Sequence, residues 1–357
     1  MTTSNRHKTW VLRVLSAIAA GVLFHLIIWL CFTQELLQAS NHGGDLSRVG
    51  YIAGVSYKNK PGYSLPKKHI ENYQYQQGPI DMITLGDSFS NGCGKNDPYY
   101  QDWIASLHDM NVLNIQALPQ MNYLETIETL LRSGYLDLVR PKHILIQIIE
   151  RNVIEQFASQ ANLSPTVSLD TILKYYQHIT YENNPPQINF INVGNLKFVL
   201  YSFLRQFKDN AFFSKVYEKQ LSRSLFTVKK SKSLIFMYED FANISASTAQ
   251  NVTQVNHNLN QLAGQLRGKG IQLHFMPVVD KYNLYSSEIL NNDKPQSTFF
   301  ETLRKMKKEY HLIDTKEILG KEIQRGEKDI YYADDTHWSG KAPKVIFKNT
   351  SFTVSSN

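Results

Sequence analysis

Short apolar runs alternate with helix-period segments over most of the chain. Residues 80–85, 112–115, 143–149, 271–276 and 311–314 each read as a strand, and their continuous rather than alternating apolar character predicts strands buried on both faces. Between them, Asn122 to Arg132 has the pattern of a helix that stops at Ser133-Gly134. Residues 245–269 form a longer one, with Val252, Val255, Leu259, Leu262 and Leu266 on one side and Gly268-Lys269-Gly270 at its end. A further helix is expected around 298–309, and Pro277 is expected to close the fourth strand. Strands separated by helices predict an α/β fold: a flavodoxin-like three-layer sandwich with a five-stranded parallel sheet in the order 2-1-3-4-5 and right-handed crossovers.

Two stretches depart from this rhythm. Residues 152–240 are rich in aromatics, as in Phe198-Val199-Leu200-Tyr201-Ser202-Phe203-Leu204, and carry a loop at Asn183-Asn184-Pro185-Pro186. They read as a helical insertion, a cap or an acceptor-binding arm whose aromatics pack its own core. Residues 14–32 are apolar apart from Ser16 and His25, long enough to cross a bilayer as a helix. Arg6, Lys8 and Arg13 precede them, which predicts a cytoplasmic N-terminus and an extracytoplasmic remainder, periplasmic in a Gram-negative cell. A cleaved signal peptide has a shorter apolar core and a small-residue cleavage site, and Leu37-Gln38-Ala39 is a poor one. The expected organisation is therefore a cytoplasmic stretch 1–13, an anchor 14–32, a tether and irregular part 33–78, and an α/β domain 79–357 with the insertion at about 152–240.

Composition narrows the function little. The net charge of +7 includes the three basic residues beside the apolar segment, and the rest are scattered among acids, so no nucleic-acid partner is expected. The cysteines, Cys31 and Cys93, supply neither a disulfide framework nor a metal-ligand spacing. No cofactor is expected.

The chemistry lies in two blocks. Gly86-Asp87-Ser88-Phe89-Ser90 ends the first strand, on the sheet edge where open α/β folds bind ligands. Ser88 there is a candidate nucleophile, but a hydroxyl needs a base to take its proton. Asp334-Asp335-Thr336-His337-Trp338, after the last strand, supplies a histidine and two candidate carboxylates on the same edge, with Trp338 expected either to pack under the imidazole or to anchor the last loop. A metal-dependent phosphoesterase using Asp334, Asp335 and His337 fits less well, because no second ligand cluster is visible in the sequence.

These blocks, with Ile148-Ile149-Glu150-Arg151 and the run from Pro277 through Lys281 to Tyr285, resemble the SGNH/GDSL hydrolase superfamily, in particular its alginate O-acetyltransferase-like branch. The resemblance covers roughly residues 79–345 outside the insertion. It implies Ser88 as nucleophile, His337 as general base, and Asp335 or Asp334 as the orienting acid. Many superfamily members complete the oxyanion hole with a glycine after the second strand and an asparagine after the third. Here Gln116, Arg151 or Asn152 stands in those regions, and Lys281 and Tyr285 are candidate substrate contacts. The tail from Pro343 to Lys348 reads as more broken than the closing helix of such folds. The implied activity is serine-dependent O-acetyl transfer or acetyl-ester hydrolysis on an exported or cell-surface polysaccharide or oligosaccharide, with the acyl group delivered by a membrane-bound acyltransferase. The competing expectation is a surface-polysaccharide binding or assembly protein that keeps the fold without catalysis.

Overall fold

The structure, a computed structural model, describes residues 3–37, 44–56, 62–91, 97–159, 167–178 and 188–352. Gln38, Ala39, Cys93 and the 183–186 loop lie outside them.

The main sheet is parallel and six-stranded. Its strands are β1 (Ile70–Glu71), β2 (Met82–Leu85), β3 (Val112–Ile115), β4 (His143–Ile149), β7 (Gln272–Val278) and β8 (His311–Leu312), in the spatial order β1-β3-β2-β4-β7-β8. The five expected strands stand in the order 2-1-3-4-5. The sixth, β1, extends the β3 edge, with Ile70 registered to Leu113. At two residues, it carries no alternation for the sequence to reveal.

Every residue of β2, β3 and β4 is buried, so both faces of the sheet centre are covered, as their largely apolar sequences require. The helices fall into two packed groups. Ala249–Arg267 packs on Tyr123–Arg132, Val153–Phe157 and Phe299–Arg304; Lys341–Lys348 packs on Tyr100–His108 and Thr315–Gln324. The helix Tyr123–Arg132 begins in a reciprocal cap. The Asn122 side chain accepts from the Glu125 N–H at 2.9 Å, and the Glu125 carboxylate accepts from the Asn122 N–H at 2.9 Å.

Two expectations about proline need correction. Strand β7 continues through Pro277 to Val278, because β8 has already ended and β7 is an edge there, where a missing N–H costs no ladder bond. Likewise Lys341–Lys348 is a regular helix. Its Pro343 sits in the first turn, where backbone N–H groups have no intrahelical partner.

The insertion also differs from a purely helical one. After helices Val153–Phe157, Leu169–His178 and Val193–Leu204, it forms an antiparallel hairpin of β5 (Val216–Gln220) and β6 (Ser233–Met237). Leu46, Ile52 and Val55, from the segment that follows the apolar helix, join Val216 and Ile235 in a small separate core. The aromatics of 198–207 do not all pack inward either, for Phe203 and Phe207 face outward.

At the N-terminus, Thr3–Ile28 continues through a π-helical turn, Trp29–Thr33, into Gln34–Leu37. Arg6–Leu37 is long and apolar enough to cross a membrane.

Replacing Asn122 with alanine should remove the reciprocal cap and destabilise the fold by about 1 kcal/mol. The shift of the urea unfolding midpoint relative to the unaltered chain checks this.

Candidate active site

Strand β2 delivers the chain to Gly86-Asp87, which opens a single helical turn, Ser88–Asn91. Asp87 pins this turn in place. One carboxylate oxygen accepts from the Phe89 N–H at 3.0 Å and from Gln147 Nε2 at 2.9 Å; the other accepts from the Ile149 N–H at 2.7 Å. Ser90 Oγ donates to Gln147 Oε1 at 2.9 Å and lies 3.0 Å from the Tyr100 hydroxyl, so the turn is stitched to β4 twice. Gly86 has no room for a side chain, because a Cβ would meet Ser90 Oγ, Gln147 Oε1 and, at 2.9 Å, the Gln147 carbonyl. With its neighbours held, Ser88 alone projects outward and is exposed.

The histidine arrives on the loop 331–340, which a bridge between Tyr331 and Trp338 closes on itself. His337 Nε2 lies 2.9 Å from Ser88 Oγ, and His337 Nδ1 lies 2.7 Å from Asp335 Oδ1, which also accepts from the His337 N–H at 3.0 Å. Asp335 is thus the carboxylate in contact with the imidazole. The other candidate, Asp334, is fully buried and accepts from the Gly44 N–H at 3.1 Å. The expectation that Trp338 packs under the imidazole is corrected. Phe89 packs there, its ring centroid 4.7 Å from that of His337, and Trp338 supports Phe89 edge-on at 5.0 Å.

The five further sequence candidates occupy various places around this pair. Lys281 is 1% exposed, and its ammonium donates to the carbonyls of Tyr332 (2.7 Å), Ala333 (3.0 Å) and Asp335 (3.0 Å). It braces the histidine loop from within instead of meeting substrate. Burial pulls its pKa down to about 8 against the opposing charges of Asp334 and Asp335. Tyr285 is also fully buried, its phenol accepting from the Tyr331 N–H at 3.3 Å. Arg151 is committed to Asp240 at 3.1 Å and Asp280 at 2.5 Å. Gln116 is buried next to Ile115, the residue registered with Leu85, which puts it level with Gly86 on the β3 side. Asn152, half-buried, ends the 3-10 turn that leaves β4 on the other side.

What the sequence did not signal is the contribution of the segment just after the apolar helix. Gly44 and Ser47 donate to the Asp334 side chain and carbonyl, the Asp45 N–H donates to Asp335 Oδ2 at 3.4 Å, and the Asp45 carboxylate accepts from the N–H and hydroxyl of Thr336. These partners are some 290 residues apart in sequence, and nothing in their local pattern links them. Burial, then the charge of Asp335, raises the Asp45 pKa above the ordinary carboxylate value. Burial alone would lower the His337 pKa, but the hydrogen bond and charge of Asp335, with Asp45 and Asp87 behind it, outweigh burial and raise it. Ligand-type atoms of Asp45, Asp335 and His337 lie within 4.8 Å of one another. Because the Asp45 oxygens already accept from Thr336 and the Asp335 oxygens from His337 and Asp45, the trio is arranged as a hydrogen-bonded chain. Such a chain can hold an imidazole in the tautomer that accepts a serine proton.

Three outcomes are expected. Gly86→Ala should destabilise by about 1–3 kcal/mol through overpacking, read as a lowered urea midpoint, and should displace Ser88 with it. For ester cleavage, the acid limb of kcat/KM should fall above pH 6.5, the ordinary histidine value. Activity should drop as pH falls through that limb, because protonated His337 cannot accept the serine proton. Asp45→Asn removes a carboxylate that raises the His337 pKa, so the limb should move to lower pH. A limb that stays in place would leave Asp45 a purely steric role.

Comparison with known proteins adds one match. Residues 235–349 match the family described as SGNH hydrolase-like domain, acetyltransferase AlgX; the matched segment includes Lys281, Asp335 and His337 and leaves out Ser88. No curated protein and no solved structure matches the chain. Over residues 235–349, therefore, the chain is similar to the SGNH hydrolase-like domain of AlgX-type acetyltransferases.

Proposed function

We propose that this protein is a membrane-anchored serine acyl-transfer enzyme: an O-acetyltransferase, or an acetylesterase, acting on an exported or cell-surface polysaccharide. The observation that carries the reading is the contact chain Ser88 Oγ to His337 Nε2 (2.9 Å) and His337 Nδ1 to Asp335 Oδ1 (2.7 Å), with Ser88 exposed at the C-terminal edge of a parallel sheet. The domain division proposed is an anchor at 14–32 and a catalytic unit from 79 onwards that includes the insertion. The basic residues before the anchor favour a cytoplasmic N-terminus and an outward-facing catalytic unit.

In the proposed reaction, Ser88 Oγ attacks the carbonyl carbon of the acyl donor while His337 Nε2 takes its proton, and Asp335 stabilises the imidazolium. The tetrahedral adduct collapses with loss of the donor's leaving group, which takes the proton from His337 and leaves an acyl-serine. An acceptor hydroxyl then gives its proton to His337 and attacks the acyl carbon, and the second adduct collapses by breaking the bond to Ser88 Oγ, which takes the proton back from His337. A sugar hydroxyl as acceptor gives a transferase; water gives an esterase. Negative charge on the adduct falls beside the N–H groups at the start of the turn Ser88–Asn91, with Gln116 and Asn152 on the flanking strands as further candidate donors. A donor outside the cytoplasm calls for delivery across the membrane, and a membrane-bound acyltransferase partner is the proposed source.

The full chain in detergent should cleave a chromogenic acetyl ester, and Ser88→Ala should lower kcat by about 10³-fold or more. Brief incubation with the acetyl donor should leave a mass increase of one acetyl group on the peptide holding Ser88. A folded protein with equal rates in both variants and no adduct would overturn the catalytic reading in favour of a binding role. Acceleration of deacylation by an oligosaccharide over water would identify the transferase.

A further inference from the structure

The helix Val193–Leu204 belongs to the insertion, and its sides are sharply different. Val193, Leu196, Val199, Leu200 and Phe203 are all exposed, and at 100° per residue they fall within an arc of about 120°. Just beyond, Phe207 is 65% exposed and Phe213 is 74% exposed. A contiguous apolar strip of this kind on a folded surface marks a place that something covers.

The opposite side of the same helix is packed against the N-terminal apolar helix. Phe198 stacks on Phe32 with ring centroids 5.0 Å apart, and a Cβ on Gly194 would meet Leu37 at 2.6 Å. Asn195, wholly buried, places its amide Nδ2 2.9 Å from His25 Nδ1 and its Oδ1 against the Thr33 hydroxyl. His25 is the one imidazole in the run 14–32, where an unmatched polar group is expensive in hydrocarbon.

Depth follows from length. With Arg6, Lys8 and Arg13 at the inner surface, about twenty residues at 1.5 Å each carry the hydrocarbon core from Val14 to about Thr33. The insertion helix contacts His25, Phe32 and Thr33, which are within the outer part of that span. It therefore stands at the level of the outer leaflet, and at about 18 Å it is too short to cross.

We propose that the exposed face of Val193–Leu204, continued by Phe207, Phe212 and Phe213, is an interfacial membrane-binding surface that lies in the outer leaflet beside the anchor. The occupant is the lipid itself. Continuity with the anchor supports this, as do exposed Lys197 and Lys208, next in sequence to apolar residues of the strip and able to meet anionic headgroups. The catalytic unit is then held to the bilayer at two places, which fixes its orientation as a single flexible tether would not. This proposal rests on the membrane-anchored reading given above.

The test uses the full chain in nanodiscs of phosphatidylcholine and phosphatidylglycerol, with Cys31→Ser and Cys93→Ser as background. Nitroxide labels are placed one at a time at Leu200→Cys, Phe203→Cys, Ile18→Cys and Lys232→Cys, all exposed positions whose substitution leaves packing intact. Collision rates with oxygen and with a water-soluble nickel chelate are compared. Labels at 200 and 203 should favour oxygen over nickel several-fold, as the anchor label at 18 does, with the reverse at 232. Nickel access at 200 and 203 alongside lipid protection at 18 would overturn the second contact while leaving the anchor intact. Nickel access at 18 would overturn the anchor and the proposal with it. Labels at 200 and 203 shielded from both reagents would point to a second copy of the chain on this face and would also overturn the proposal. Because the four labelled chains share one background, misfolding would show as anomalous access at all positions.

Discussion

The site depends on a loop that has little secondary structure of its own and is held by a buried cation. Lys281 turns its ammonium into the loop 331–340 and donates to three carbonyls there. A charge this deep is costly by itself, and the nearby carboxylates of Asp334 and Asp335 offset that cost. The same carboxylates are thus engaged twice, once by the lysine's field and once by the groups they orient. Pulling the lysine out would loosen the backbone that aims His337, since one of its carbonyl partners belongs to Asp335.

The serine side follows a different plan. There the backbone is short and strained for space, and Asp87 and Ser90 tie it to β4 through Gln147 and Ile149. The two halves meet through Phe89, which comes from the serine turn and lies against both His337 and Trp338. The 2.9 Å separation of serine and imidazole thus results from two independently braced loops and one shared aromatic contact.

Legibility in the sequence tracked the range of the interactions involved. Strands β2, β3, β4 and β7 declared themselves because burial on both faces demands mostly apolar residues with few polar interruptions. Ser88 and the Asp335/His337 pair were readable because the chemistry is compressed into a few adjacent residues at strand ends. Strand β1 and the β5/β6 hairpin were not, because one is too short for a pattern and the other lies in a segment whose aromatics mimic helical periodicity. Lys281 looked like a substrate contact, since sequence shows a cation after a strand and not the carbonyls that enclose it. The pairing of Asp45 with Thr336 was hidden for the plainest reason: it joins the two ends of the chain, and only the fold brings them together.

That pairing bears on how far the Ser88–His337 pair can lie from the apolar helix. Gly44 and Asp45 touch the histidine loop, and Leu37 ends the apolar helix, so seven Cα-to-Cα steps separate the two. Even fully extended, that stretch reaches only about 25 Å. Under the proposed topology the reaction centre cannot swing out on a long leash to search for distant polymer. It is confined to a thin shell over the bilayer, and a glycan would have to be modified close to the membrane as it emerges.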